Sequence, residues 1–231
     1  MPDGESVTDA ESDSQARMVD RLTFFSDAVV AIAITLLAID LPVPSGDNLG
    51  EFWTSVRHNS GHYAAFLISF YAISAAWSHH HEIFRYARRM DQRLRSLNTC
   101  WLLMIVLNPF ATRLLTSPGG QSLSVHAMKF GFYALTQALV SLAMVAMLRH
   151  MVKRHQVSGL PDRFATETAW DSYGLLAGFA LSIPVFFVIG YAWVFWIVVP
   201  WLVGRFYRLR YGRDDPREPP GARPARRGSP M

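Results

Sequence analysis

Residues 21–41 read RLTFFSDAVVAIAITLLAIDL, an apolar run longer than the helix of a soluble protein requires. Crossing about 30 Å of hydrocarbon takes about 20 mostly apolar residues in a helix, which satisfies its backbone hydrogen bonds internally. The run is followed by Pro42 and Pro44, which cannot continue a helix. We therefore predict a membrane-spanning helix over residues 22–41.

Further apolar segments follow this helix along the chain. Of the 231 residues, 51% are hydrophobic and only 17% are charged, against about 25% charged in a soluble domain. The final apolar run is too long for one helix and carries Gly190 and Tyr191 near its middle, so we divide it there; one long tilted helix with a re-entrant piece is the alternative. The predicted fold is an all-α integral membrane protein with six transmembrane helices, in one unit without a second repeat. The remaining five predicted helices are 61–84, 97–115, 123–148, 173–189 and 192–207.

The two ends of the chain differ in composition from its centre. Residues 1–20 form an acidic leader without the basic-then-apolar order of a signal peptide, and residues 211–231 form a basic tail rich in Pro, Arg and Gly. Neither segment has enough apolar surface to bury, so we expect both to be disordered. The predicted six-helix transmembrane domain is then residues 21–210.

The distribution of basic residues predicts the orientation in the membrane. With six spans, 19 of the 22 Lys and Arg residues fall on one side, and only Arg57, Arg113 and Lys129 fall on the other. Because basic loops stay on the cytoplasmic side, both termini are predicted to be cytoplasmic. A basic charge dispersed in this way does not form the continuous basic face of a nucleic-acid-binding protein.

The first predicted helix combines a polar group with an apolar stripe. Asp27 lies one to two turns into it, where a carboxylate is costly unless it faces protein or water. Thr35 lies at the edge of the stripe, and Asp27 lies well away from it. Ordinary helix packing explains such a stripe as well as pore lining does, since periodicity alone cannot make a pore. The stripe consists of Phe25, Ala28, Ile32, Leu36 and Ile39.

The second predicted helix carries the run WSHHHE at residues 77–82. Three consecutive histidines span about 200° of a helix and cannot all bind one metal, so we predict no metal site. Trp77 and His80 share a face, and Asn98 opens the next helix near the same end of the bundle. We therefore expect Asp27, Trp77, His80 and Asn98 to meet in one buried polar cluster. The alternative is that the polar run only marks the end of the helix at the interface.

These residues resemble the bacterial transmembrane-protein-175 family of potassium channels. The resemblance rests on Arg21 followed by Phe25-Ser26-Asp27, on the Trp77/His80 pair, and on the Asn98 helix with its Pro-Phe-Ala-Thr run at 109–112. It covers about the first 115 residues. It implies a potassium-selective channel whose pore is lined by the first helix and has no carbonyl filter, and no TVGYG-like sequence occurs here.

The resemblance also assigns roles to single residues. Ile32, Leu36 and Ile39 would form a hydrophobic constriction, and Thr35 would assist potassium selectivity. An interhelical network would hold the pore helix in place. Its members would be Arg21, Ser26, Asp27, Trp77, His80 and Asn98.

The same resemblance sets expectations for assembly and location. Animal members of the family carry two copies of the six-helix unit and form dimers, whereas this sequence has one copy, so four chains would form a homotetramer around one pore. Its partners would be further copies of itself and the lipid bilayer of the bacterial plasma membrane, with no nucleic acid and no other protein. The permeant ion would be K⁺, and no cofactor is expected.

Two other functions are weaker on the sequence. A secondary transporter, proton-coupled through Asp27, Asp40 and the histidines, is the alternative, although interrupted helices occur only at the end of the chain. We do not expect an enzyme, because the His, Asp and Glu residues lack the spacing of a nucleophile with its base.

Overall fold

The computed structural model describes residues 3–118, 122–159, 162–186 and 194–211. This part of the chain contains seven helices, and its only β-type pairing is an isolated bridge between Ala87 and Val157. The helices are α1 (Asp3–Ile39), α2 (Leu49–His58), α3 (Ser60–Phe84), α4 (Gln92–Thr116), α5 (Leu123–Lys153), α6 (Asp162–Phe186) and α7 (Phe195–Tyr211).

The described helices include several that can cross a membrane. By length and apolar composition, three of them qualify in the described ranges: Asp13–Ile39, Gln92–Thr116 and Leu123–Lys153. Ser172–Phe186 is apolar but shorter. The all-helical, membrane-spanning class is thus as predicted, whereas the count of six spans and the side of the termini remain predictions.

The leader was predicted to be disordered, whereas in the structure α1 already begins at Asp3. No proline interrupts residues 3–41, so nothing in this stretch of sequence breaks a continuous helix. The leader is also tied to the rest of the chain, since the Met90 N–H donates to Gln15 Oε1 at 3.2 Å. The predicted first span is therefore the C-terminal half of a longer helix, which ends at Ile39 before the two prolines.

Helix α2 is an element that the sequence reasoning missed. The Asn48 side chain caps it by accepting from the Glu51 N–H at 3.0 Å, and Glu51 Oε1 accepts in return from Asn48 Nδ2 at 2.8 Å. This reciprocal arrangement follows the capping-box pattern of a polar residue followed three positions later by Glu. The sequence signal was present, but the search for 20-residue apolar runs passes over a ten-residue helix.

Two apolar cores hold the bundle together. The first lies between α1, α3, α4 and α5, and its fully buried members include Ile73, Leu94, Trp101, Ile105 and Met147. The second lies between the C-terminal half of α4 and helices α5, α6 and α7. Helix α1 therefore packs on the rest of the chain through the first core.

Helices α6 and α7 pack closely as an antiparallel pair. A Cβ atom on Gly178 would lie only 2.9 Å from the Phe195 carbonyl oxygen, an approach that only glycine permits. Trp196 Nε1 donates to Ser182 Oγ at 2.8 Å between the same helices. The final apolar run thus contains two helices, while the predicted break at Gly190 and Tyr191 and the basic tail from residue 212 lie outside the described residues.

Candidate functional site

Helix α1 has one face inside the chain and one face that the chain leaves uncovered. At about 100° per residue, the buried positions centre about 130° around the axis from Ile32. They lie against α3 and α4 in the first core. The buried positions of this part of α1 are Ser26, Val30, Ala33 and Leu37.

The uncovered face of α1 is the stripe singled out from the sequence. Ile32 is 59% exposed, Leu36 40% and Ile39 76%. Ala28 and Phe25 are exposed on the same face, about one and two turns before Ile32 respectively. One copy of the chain therefore covers these apolar side chains only in part.

Thr35 lies at the edge of this stripe and is exposed. Its hydroxyl donates to the Ile32 carbonyl oxygen of the same helix at 2.8 Å. A hydroxyl that donates to the backbone can still accept through its oxygen lone pairs. Thr35 thus presents an acceptor beside an aliphatic surface.

Asp27 is held by Trp77, one of the two residues predicted to share a face of the second membrane helix. Trp77 Nε1, on α3, donates to Asp27 Oδ1 at 2.8 Å. Asp27 is half-buried and lies about 140° around the helix axis from Ile32. This hydrogen bond gives the carboxylate a protein partner, as its place in an apolar helix requires.

A buried chain of hydrogen bonds joins α1, α3 and α4. Asn98 Nδ2 donates to Ser26 Oγ at 3.0 Å, and Ser26 Oγ donates to the Leu22 carbonyl oxygen at 2.9 Å. Asn98 Oδ1 lies 2.7 Å from His80 Nε2, and because a carbonyl oxygen only accepts, His80 donates. Ser26, His80 and Asn98 are all fully buried. The single buried cluster that was predicted is therefore two separate connections from neighbouring residues of α1: the buried chain from Ser26 through Asn98 to His80, and the Asp27–Trp77 bond, in which Trp77 is 39% exposed.

Aromatic rings enclose His80 on both sides. Its ring stacks on Phe84 with centroids 4.2 Å apart and on Trp101 with centroids 4.3 Å apart. His79 is half-buried and His81 is exposed, so the three histidines point in different directions. Among the described residues no group of three or more His, Cys, Asp or Glu side chains is placed to hold a metal ion.

Arg21 does not join the network that was predicted for it. Its side chain is exposed, and it makes none of the hydrogen bonds that connect the other five members. Arg21 precedes Ser26 by five residues, which places it more than one turn of α1 away from the Asn98 connection. The structure thus brings together Ser26, Asp27, Trp77, His80 and Asn98, and leaves Arg21 outside.

A second buried polar network was missed by the sequence reasoning. Asn108 Nδ2 on α4 donates to Gln137 Oε1 on α5 at 2.8 Å, and Gln137 Nε2 donates to Tyr133 Oη at 3.0 Å. Ser69 Oγ on α3 lies 3.1 Å from Tyr133 Oη and 2.7 Å from Thr112 Oγ1. The signal was polar residues four apart within apolar helices, at 108/112 and 133/137. Such pairs share a helix face and must find partners when that face is buried.

Asp91 anchors the connection between α3 and α4. Its Oδ1 accepts from the Leu94 N–H at 2.7 Å as the cap of α4, and its Oδ2 lies 2.7 Å from His150 Nε2 on α5. Partial burial raises the pKa of Asp91, but the Leu94 N–H and His150 outweigh this effect, and the pKa lies below its ordinary value. The carboxylate is therefore kept in its charged form at the end of the bundle where α1 contacts Met90.

Similarity to known proteins points to one family. The family model described as "Endosomal/lysosomal potassium channel TMEM175" matches residues 21–109, which include the stripe and both connections of α1. A potassium channel of Streptomyces collinus is 34% identical over 133 residues, which cover 58% of this chain and 64% of that protein. A potassium channel of Chamaesiphon minutus is 36% identical over 104 residues, covering 41% of this chain and 48% of that protein. The match thus spans less than two thirds of the length of either relative.

The fold has a counterpart among solved structures. The crystal structure of a lysosomal potassium-selective channel TMEM175 homolog from Chamaesiphon minutus superposes with a TM-score of 0.62 at 23% identity, covering 84% of this chain and 98% of that one. At this identity the likeness concerns the fold alone. Together with the family model, it confirms the resemblance that residues 21–27, Trp77, His80 and Asn98 indicated. Residues 21–109 of this chain are therefore similar in sequence to the TMEM175 potassium channels.

Proposed function

We propose that this protein is the subunit of a potassium-selective channel in which four copies surround one pore lined by α1. Ile32, Leu36 and Ile39 form the constriction, and Thr35 contributes to selectivity. The observation that carries the proposal is the face of α1 that one chain leaves uncovered, with Ile32 at 59% and Ile39 at 76% exposure. In a homotetramer this face would line the common axis.

The hydrogen bonds of α1 support this orientation. Ser26 and Asp27 lie about 100° apart on the helix and bind different neighbours, Asn98 on α4 and Trp77 on α3. Rotation of α1 about its axis would break both connections. The two bonds together hold the stripe on the side away from α3 and α4.

The chemistry of the stripe suits a gate without a carbonyl filter. Aliphatic side chains around a narrow axis exclude water, so an ion must lose part of its hydration shell to pass. This cost falls when the α1 helices of the four copies separate. The Thr35 hydroxyl oxygen lies next to the aliphatic positions and would coordinate a partly dehydrated K⁺ ion.

The membrane setting follows from the same proposal. The channel would lie in the bacterial plasma membrane with both termini in the cytoplasm, the side that the basic residues favour. Its partners would be three further copies and the bilayer. The relatives of this chain are named as channels, and we propose no catalytic activity for it.

The proposal is tested by potassium flux through purified protein in liposomes at fixed potential, together with the variant Ile32→Asn. A polar side chain at the constriction should be wetted more easily, so K⁺ conductance should rise and selectivity over Na⁺ should fall. The control is Leu103→Asn, which makes the same kind of change at a 54% exposed position of α4. Unchanged currents in Ile32→Asn, or equal changes in both variants, would remove Ile32 from the pore.

The alternative function is a secondary transporter coupled to protons through Asp27. The hydrogen bond from Trp77 favours a structural role for this carboxylate instead. Asp27→Asn separates the two, since asparagine still offers an oxygen to Trp77 but cannot carry a proton. A channel should retain its K⁺ current in this variant, whereas a proton-coupled transporter should lose coupled uptake. Flux far above about a thousand ions per second, without a coupled ion, would exclude the transporter.

A further inference from the structure

An ion pair between Asp40 and Arg113 lies at the C-terminal end of α1. Arg113 Nη1, from the last turn of α4, lies 3.3 Å from Asp40 Oδ1. The Arg113 side chain is 71% exposed and that of Asp40 is 37% exposed, so both charges reach solvent. The proposed function makes no use of either residue.

Asp40 immediately follows the last residue of the stripe. It comes directly after Ile39 and lies about 80° around the helix axis from Ile32, between the uncovered face and the buried face. The free carbonyl groups at the end of α1 add negative potential at the same place. An ion leaving or entering along the stripe would therefore pass this carboxylate.

The pair borders a recess between α1, α3 and α4. The recess has a volume of about 290 Å³, and its ionisable lining groups are Asp40, His62 and Arg113. Lys129, another basic residue on this side by the sequence prediction, donates to the Ser117 carbonyl oxygen at 2.7 Å and does not line the recess. Arg113 is thus the cation placed to act on Asp40.

We propose that Arg113 is a positioning residue that sets how strongly Asp40 concentrates cations at this mouth of the pore. The inference rests on the proposed function, since it requires α1 to line a cation pathway. Rings of carboxylates raise the local concentration of cations, and four Asp40 side chains would form such a ring. Each paired guanidinium cancels part of that field and lowers the conductance below what the bare carboxylates would support.

The magnitude follows from screened electrostatics. A unit charge about 8 Å from a permeating ion in water changes the local ion concentration about twofold without screening and about 1.5-fold at 0.1 M salt, so the four charges that change together in a homotetramer change it about fivefold. The effect depends on salt, because the Debye length falls from about 10 Å at 0.1 M to about 3 Å at 1 M. A change in the field at the mouth is therefore visible at low salt and small at high salt, unlike a change in the shape of the pore.

The experiment is single-channel recording of the full-length protein in planar bilayers at 0.1 M and 1 M KCl. Arg113→Gln removes four positive charges from the homotetramer, so it should raise K⁺ conductance about fivefold at 0.1 M and leave it nearly unchanged at 1 M. Asp40→Asn should lower it by a similar factor with the same salt dependence. Arg113→Lys keeps the charge and should conduct like the unmodified channel. Arg57→Gln, the same charge change on α2, is the control and should have no effect.

Each result decides the matter. Equal conductance of Arg113→Gln and the unmodified channel at 0.1 M would overturn the inference, as would a change that persists at 1 M or that Arg57→Gln reproduces. A variant that fails to assemble is replaced by its partner, since Asp40→Asn tests the same field with the opposite sign. Absence of K⁺ current in the unmodified protein would instead refute the proposed function, and this inference with it.

Discussion

Replacing Asn98 by alanine removes a side chain that joins three helices. Asn98 accepts from His80 on α3 and donates to Ser26 on α1, and all three residues are fully buried. After truncation the His80 Nε2–H has no partner, and His80 Nδ1 already lacks one among the described residues. Ser26 keeps its bond to the Leu22 carbonyl oxygen. One donor is thus orphaned, and one further hydrogen bond is lost.

The expected loss of stability follows from these two changes. A buried unsatisfied donor costs about 1–3 kcal/mol, and a hydrogen bond between membrane helices contributes about 0.6 kcal/mol on average. We therefore expect Asn98→Ala to lower the free energy of unfolding by about 2–3 kcal/mol. Because the lost bond to Ser26 holds α1, the variant should also separate into smaller species more readily.

The assay is thermal unfolding of purified protein in detergent, followed by size-exclusion chromatography. Thr99→Ala is the matched control, because Thr99 is the next residue of α4, is exposed, and bonds only to the Arg95 carbonyl oxygen of its own helix. Asn98→Ala should melt well below Thr99→Ala. If the two variants melt at the same temperature and keep the same size, the buried chain does not anchor α1 and the reasoning is refuted.

Two further predictions concern other contacts. Gly178→Ala should destabilise the α6–α7 pair by about 1–3 kcal/mol, because the new methyl group would meet the Phe195 carbonyl oxygen. Gly131→Ala is the control in the same melting assay, because a methyl group there meets nothing within 4 Å. Equal stability of the two variants would contradict the close packing of α6 and α7. Asp91→Asn keeps a helix cap but loses the charge facing His150, so it should cost about 0.5–1 kcal/mol at neutral pH after allowance for solvent screening. Since the folded-state pKa of Asp91 is lowered, this stabilisation is present above about pH 4 and is lost as the pH falls through that pKa. The free energies of unfolding of Asp91→Asn and of the unmodified protein should therefore converge in acid. A constant difference between them down to about pH 3 would contradict this prediction.

Much of the membrane domain follows from local patterns. The apolar runs predicted α3, α4 and α5 to within a few residues of their starts or ends, and Pro42 marks the end of α1. The long run before the tail divides into two helices that pack on each other. Local patterns predicted less where a segment lacks a long apolar run. They assigned disorder to the acidic leader and passed over α2, whose capping residues were visible at Asn48 and Glu51.

The candidate site was predictable in part. Helical periodicity separated Asp27 from the stripe, and the positions of Trp77, His80 and Asn98 near one end of the predicted bundle grouped them with Asp27. The sequence alone could not show that Asn98 bonds to Ser26 while Trp77 bonds to Asp27, nor that Arg21 stays exposed. These outcomes depend on how far each helix is shifted and rotated against its neighbours, which no single helix encodes.

By itself, the sequence determined the class of protein and the two faces of α1. Both are local properties, because the cost of placing polar groups in lipid acts on each segment and the helical repeat assigns each residue to a face. Only the tertiary structure decided which buried polar groups meet. The pairs Asn108 with Gln137 and Asp40 with Arg113 lie far apart along the chain and come together only when the helices pack.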